Sequence, residues 1–169
     1  MNDLDAAHAL LDRDVQWSGP NFTLEQRHER LQFYIALSQW NDAGRLYGYR
    51  AITRKTTGEL IGICGFIPVL WSARQRALLS PAKDRFSALE LEIGYALGTA
   101  HRGAGYATEA LKALIEHGFA DLGVGRILAG TGKDNPESIA LLQRVGMRTF
   151  PNPEVGWPEL IGVLENGSR

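Results

Sequence analysis

The sequence predicts one α+β domain over residues 1–169, with strands and helices mixed along the chain. Three observations predict it. Leu89, Leu91, Ile93, Tyr95 and Leu97 alternate with Glu90, Glu92, Gly94 and Ala96, the period of a strand with both glutamates on one face. Arg102-Gly103-Ala104-Gly105-Tyr106-Ala107 then supplies a turn of small residues, and Ala110, Leu111, Leu114, Ile115, Gly118 and Phe119 follow at helical spacing. Upstream, extended runs from Arg45 to Thr53 and from Glu59 to Val69 flank Lys55-Thr56-Thr57-Gly58, the pattern of an antiparallel hairpin.

The remaining elements follow in chain order. Leu4, Ala7, Leu10 and Leu11 predict a short helix at the start, and Thr23-Leu24-Glu25-Gln26 has the form of a capping box opening a second one. Leu24, Leu31, Ile35 and the segment from Phe33 to Leu37 are expected to form its apolar side. Trp71 to Ser87 is long for a loop and reads as a substrate-binding flap, a phosphate contact, or a solvated loop. After a helix at 105–120 come a strand near Arg126 to Thr131, a short helix from Ser138 to Val145, and strands near Met147 to Phe150 and Glu159 to Leu164.

Composition narrows the function classes. The chain is 44% hydrophobic and 22% charged, ordinary for a globular domain able to bury a sizeable core. A net charge of −1 gives no electrostatic grip on nucleic acid or an acidic membrane. Cys64 is the only cysteine, which excludes an internal disulfide and a thiolate-cluster metal site and fits a reducing cytoplasm. His8, His28, His101 and His117 lack metal-ligand spacing, so no metal is expected. Neither a signal peptide nor an apolar run of the roughly 20 residues a spanning helix needs is expected.

The glycine turn carries the chemistry. Small residues opening a helix put unpartnered backbone N–H groups and the positive end of the helix dipole at one place, a cradle for phosphate or pyrophosphate. A Walker loop needs Lys and then Ser or Thr after its last glycine, and Tyr106 and Ala107 stand there instead. A dinucleotide fingerprint would read Gly103-x-Gly105-x-x-Thr108, without its third glycine and without a clear βαβ unit.

A third pattern, Arg/Gln-x-x-Gly-x-Gly/Ala, is matched by Arg102, Gly105 and Ala107. With Glu92-Ile93-Gly94-Tyr95 before it and Asn135-Pro136-Glu137-Ser138, Leu142 and Gly146-Met147 after it, the chain resembles the GNAT superfamily of N-acetyltransferases. The resemblance is specific over residues 89–147 and extends to the branch that includes ribosomal-protein N-terminal acetyltransferases. It implies a central mixed sheet flanked by helices, acetyl-CoA as cosubstrate, and an amine acceptor: a protein N-terminus or a small molecule. That branch usually begins with a strand, whereas here a helix signal begins within a few residues of Met1, so the first strand is expected to be missing or short. A monomer or a homodimer is expected.

The resemblance also assigns residues. The cofactor would be held by Leu97, Arg102, Gly103, Ala104, Gly105, Tyr106, Ala107, Thr108, Asn135 and Ser138. Backbone N–H groups around Ala96 and Leu97 would polarise the thioester carbonyl. Glu92 is the candidate base, with Glu90 on the same face the weaker one, and either reads equally as a salt-bridge partner. Many GNAT enzymes carry a tyrosine acid seven residues after the motif asparagine; here that position is Leu142, so that role is not carried over. Ser138 would assist the leaving sulfur or the pantetheine arm, or else serve as a helix-start serine, and Asn135 would hold pantetheine amides or simply turn the chain before Pro136. Trp17, Trp40 and Trp157 read as core or as acceptor-pocket aromatics. The alternative from another class is a catalytically silent acyl-CoA-binding or interaction module.

Overall fold

The computed structural model describes residues 3–15, 21–40, 48–69, 71–77 and 90–167. Helix α1 (Asp3–His8) runs into a π segment (Ala9–Asp14), and α2 (Leu24–Trp40) precedes β1 (Gly48–Thr53) and β2 (Leu60–Val69). A short α3 (Ala73–Arg76) comes before β3 (Glu90–Leu97), then a 3-10 turn (Thr99–His101) and α4 (Tyr106–Ala120). The chain continues through β4 (Arg126–Thr131), α5 (Pro136–Arg144), β5 (Arg148–Pro151) and β6 (Leu160–Glu165). The strands form a six-stranded sheet in the order β1-β2-β3-β4-β6-β5. It is mixed, since β3 pairs with β4 parallel and β6 pairs antiparallel with β4 and β5. Helix α1 lies where the sequence predicts a helix at the start, with Ala7, Leu10 and Leu11 buried along it and the π segment.

The chain divides into two compact units, Met1–Gly65 with Tyr95–Ala110, and Phe66–Gly94 with Leu111–Arg169. In the first, Leu10 and Leu11 bury against Ile63 and Ala96, with Val15, Tyr49 and Leu60 packed around them. The capping box forms: Thr23 N–H donates to Gln26 Oε1 at 2.9 Å and Gln26 N–H to Thr23 Oγ1 at 3.2 Å. The apolar side expected for α2 is found in part: Leu31 and Tyr34 turn inward, whereas Leu24, Phe33 and Ile35 are 41%, 62% and 47% exposed. Arg27, Leu31 and Tyr34, spaced i, i+4, i+7, make up its inner stripe. That stripe is organised by a charge. Arg27 Nε and Nη2 donate to Asp12 Oδ2 and Oδ1, both at 2.7 Å, with both side chains buried. Phe22 N–H adds a bond to Asp12 Oδ1 at 3.0 Å, which helps repay the cost of desolvating the carboxylate. The β1–β2 hairpin closes through Arg54 N–H to Glu59 O at 3.0 Å, with Gly58 at φ +70° in its turn.

In the second unit β4 pairs with β6 along its whole length, from Arg126↔Glu165 to Thr131↔Leu160. Pairing with β3 is registered at Leu91↔Ile127 and Glu92↔Leu128. Leu128, Ile161 and Val163 form a core, covered by Val69, Trp71 and Phe150. A Cβ at Gly118 would stand 2.9 Å from the Phe66 ring and 3.0 Å from Ile127, so α4 packs closely there. The strand expected near Arg126 to Thr131 is found over those residues, while α5 starts at Pro136 rather than Ser138. Residues 45–47 of the expected first strand, Leu89, Trp17 and the 78–88 part of the insert lie outside the described residues.

Candidate active site

The glycine turn lies wholly in the first unit. Gly98 N–H donates to Ile61 O at 2.8 Å where β3 ends, and Arg102 Nε donates back to Leu97 O at 3.3 Å. Gly103 and Gly105 have φ of +75° and +88°. A Cβ at either would meet nothing within 4 Å, so it is the left-handed backbone, not crowding, that calls for glycine. Glycines of positive φ set directly before a helix start are where backbone N–H groups can gather around an anion. Helix α4 opens immediately at Tyr106, and Glu109 N–H to Gly105 O at 3.0 Å is an early helical bond. Arg102 to Gly105 are exposed, as a surface that takes up a large polar ligand requires. The turn is thus a candidate seat for a pyrophosphate, with Arg102 the adjacent cation.

The carboxylates sort themselves in the second unit. Glu90 is buried and gripped by Arg126, with Nε to Oε2 at 3.0 Å and Nη2 to Oε1 at 2.6 Å. The salt-bridge reading therefore belongs to Glu90, which is removed as a candidate base. Glu92, two residues on and half-buried, makes no hydrogen bond or ion pair among the described residues, and burial pushes its carboxyl above the usual range. An ideal Cβ at Gly130 would stand 3.4 Å from Glu92 Oε1 and 2.8 Å from two carbons of the Pro158 ring. Gly130 is therefore glycine because Pro158 lies on it, with the Glu92 carboxylate alongside.

The segment between β5 and β6, unremarked in the sequence apart from Trp157, completes this cluster. Asn152 Nδ2 donates to Pro158 O at 2.6 Å, and its Oδ1 accepts from Gln75 Nε2 at 3.2 Å and Glu154 N–H at 3.1 Å. Ser72 Oγ donates to Glu154 Oε1 at 2.6 Å, tying the residues around α3 to the same segment. Trp157, joined to Pro158 by a cis peptide, is 73% exposed and its ring edge would lie 3.3 Å from a Cβ at Gly132. It is a surface aromatic rather than a core one. The only signal in the sequence for this loop is its Pro-Asn-Pro-Glu-Val-Gly-Trp-Pro composition, which marks irregular chain but not its target.

Asn135 and Ser138 are brought together, but with roles reversed from the helix-start reading of Ser138. Asn135 is the N-cap of α5, its side chain accepting from Ser138 N–H at 3.0 Å with Pro136 in the first turn. Leu142 is fully buried, a core position rather than one from which an acid could serve. The histidines have structural partners: His8 with Phe22 O at 2.9 Å, His28 with Gln32 at 3.3 Å, His101 with Glu59 at 3.5 Å and His117 with Asp121 at 2.6 Å.

The profile of the acetyltransferase (GNAT) domain family matches residues 1–148. The chain belongs to the GNAT acetyltransferase family. Among curated relatives of this acetyltransferase is the uncharacterized N-acetyltransferase p20 of Bacillus licheniformis, 33% identical over 152 residues, covering 82% of this chain and 75% of that protein. An acetyltransferase of the GNAT family from Bacillus anthracis superposes with a TM-score of 0.68 at 18% identity over 97% of this chain and 89% of its own. The ribosomal-protein-S5-alanine acetyltransferase of Vibrio fischeri superposes with a TM-score of 0.65 at 19% identity, over 96% and 86%. At these identities the superpositions speak for the fold. The family reaction is transfer of an acetyl group from acetyl-CoA to an amine, and this GNAT chain is an acetyl-CoA-dependent acetyltransferase.

Proposed function

We propose that this acetyltransferase acetylates a protein N-terminal α-amine by direct attack, with Glu92 as the base. The observation that carries the reading is Glu92 itself: half-buried, desolvated and without a hydrogen-bonding partner among the described residues. A carboxylate pushed upward by burial holds a proton better than an ordinary one, and it is thereby matched more closely to an amine's proton. An α-amine has a pKa of about 8, so roughly one molecule in ten is already neutral at pH 7, against about one in a thousand for a lysine-like amine. A single carboxylate, reached directly or through one water, is proportionate to the α-amine. The exposed Trp157 ring lying over Gly132 supports an acceptor that approaches along open surface, as a chain terminus does.

Acetyl-CoA supplies the activated acyl group. Gly103 to Thr108 and Arg102 would hold its pyrophosphate, backbone N–H groups at Ala96 and Leu97 would polarise its carbonyl, and Asn135 and Ser138 would hold the pantetheine arm. Glu92 would take the ammonium proton, so that the neutral amine attacks the thioester carbon; as the C–S bond breaks, the second proton lost from nitrogen goes to the departing CoA thiolate. The reaction belongs to the cytoplasm, where the buried, free Cys64 stays reduced.

The test is thiol release from acetyl-CoA with peptides bearing free Ala or Ser N-termini, the same peptides N-terminally blocked, and linear polyamines. Turnover confined to free N-termini supports the assignment. Turnover on polyamines alone replaces the acceptor but keeps Glu92, and CoA binding without turnover on any amine leaves the silent-module reading in its place.

A further inference from the structure

Two carboxylates leave the π segment in different directions. Asp12 turns toward α2 and is held by Arg27, while Asp14 accepts from Thr99 N–H at 2.9 Å and from Thr99 Oγ1 at 2.5 Å. The wide turn is evident in the bond from Val15 N–H to Leu10 O at 2.9 Å, five residues apart. Such π turns are rare and gather at functional sites, because the extra residue re-aims side chains that a regular helix would place elsewhere.

Thr99 stands at the entrance to the glycine turn. It begins the 3-10 turn that ends at His101, with Arg102 next, and its neighbour Gly98 is pressed against the π segment. A Cβ at Gly98 would lie 3.0 Å from Leu10 Cδ1, 3.2 Å from Asp14 Oδ2 and 3.3 Å from His101 Cδ2. On the other side His101 Nε2 lies 3.5 Å from Glu59 Oε1, so the entrance is held from the hairpin as well. Asp14 spends both carboxylate oxygens on Thr99, which leaves its charge committed to the loop backbone rather than aimed at a ligand.

We propose that Asp14 is a positioning residue for acetyl-CoA: acting through Thr99, it fixes the entry of the 98–105 turn so that the N–H groups there are preset for pyrophosphate. The π segment is the device that aims it. This rests on the reading of residues 102–108 as the acetyl-CoA cradle. Preorganisation of this kind appears in the binding of the cofactor rather than in the chemical step, because the reacting atoms are untouched.

The experiment is calorimetric titration of CoA and acetyl-CoA into the wild type, Asp14→Ala, Asp14→Asn and Thr99→Val, with steady-state kinetics on each and melting curves to confirm folding. Asp14→Ala is expected to weaken CoA about tenfold and raise KM for acetyl-CoA equally, with kcat kept within about twofold. Asp14→Asn is the rescue: its amide oxygen still accepts from Thr99 N–H and its NH2 donates to Thr99 Oγ1, so affinity returns to within about threefold of wild type. Thr99→Val, which loses only the hydroxyl bond, falls between them. Wild-type affinity in folded Asp14→Ala overturns the proposal, and so does Asp14→Asn binding as weakly as Asp14→Ala, which would make charge rather than position the cause. Should Asp14→Ala fail to fold, Thr99→Val decides, unaltered affinity there overturning the proposal. Wild-type protein that binds neither CoA species overturns the cradle reading itself, an outcome distinct from tight binding insensitive to Asp14.

Discussion

The glycine turn and the Glu92 cluster are built by opposite means. The turn is exposed backbone, two left-handed glycines and a helix start, with side chains serving to hold it in shape. The cluster is side chains on a sheet face: Glu92 beside Gly130, Pro158 laid on that glycine, and a loop tethered by Asn152. Their carboxylates differ in the same sense. Hydrogen bonds from Thr99 hold Asp14 below the usual carboxylate range, and burial pushes Glu92 above it. A group satisfied by donors is suited to fixing structure, and a desolvated one to accepting a proton.

The strongest way to break the contrast is to exchange the fates of two neighbouring glutamates. Glu92→Gln should lower kcat/KM for the amine by about 10²- to 10⁴-fold while CoA binding by calorimetry is unchanged. Glu90→Gln should cost about 3 kcal/mol in denaturant unfolding, because Arg126 loses its buried partner, with turnover per folded molecule retained. A Glu92→Gln enzyme within about twofold of wild type over roughly pH 6–9 would remove Glu92 as the base.

Next in size is Gly130→Ala. Its methyl group lands 2.8 Å from a proline ring that has little room to yield, and about 1–3 kcal/mol of stability should be lost together with amine turnover. On the other side of the comparison, Gly105→Ala must hold φ near +88°, at a cost of about 1–2 kcal/mol. That cost should show as a raised KM for acetyl-CoA with the amine KM unmoved; a change in the amine KM alone would erase the distinction between the two regions. Trp157→Ala is expected to raise KM for a peptide acceptor by several-fold, about 1 kcal/mol, and to leave CoA affinity alone.

The smallest effect concerns pH and stability. Because Glu92's folded pKa is raised, its ionised form is the disfavoured one. The folded state is penalised progressively as pH rises from the ordinary carboxylate value of 4.5 through the raised one, and the penalty is constant above that. Glu92→Gln should therefore melt higher than wild type at pH 7, with the gap closing as pH falls toward 4.5. For Asp14, whose pKa is lowered, the sign reverses: its contribution is present above 3.8 and is lost as pH falls through its folded value. Melting curves of the two variants across acid pH display the opposed slopes.

What the sequence disclosed follows the same division. Backbone-built features depend on residue types that announce themselves, so Gly103, Gly105, the capping box at Thr23 and the strand at Arg126–Thr131 were legible from spacing alone. Side-chain partnerships were not. Nothing local distinguishes Glu90 from Glu92 until Arg126, 36 residues away, takes one of them. In α2 Leu31 and Tyr34 were legible as apolar positions, but Arg27 was not, because apolar spacing gives no sign of a buried arginine whose partner, Asp12, lies on another element. The start of α5 was misread because Ser138 is a good cap by type, whereas Pro136 suits the first helical position and leaves the cap to Asn135.

Asn152 gives the loop between β5 and β6 a modular character of its own. Its one amide gathers Gln75, Glu154 and Pro158, while Asn152 N–H to Glu159 O at 2.8 Å closes the base of the loop. Residues 153–157 are thus a cassette clasped at both ends. Under the proposed function, a lineage that rewrites the exposed Val155 and Trp157 and keeps Asn152, Glu154 and Pro158 changes what the surface presents to an incoming amine without disturbing Glu92 beside Gly130. On that reading acceptor preference in this scaffold can change without a change in the chemistry it serves.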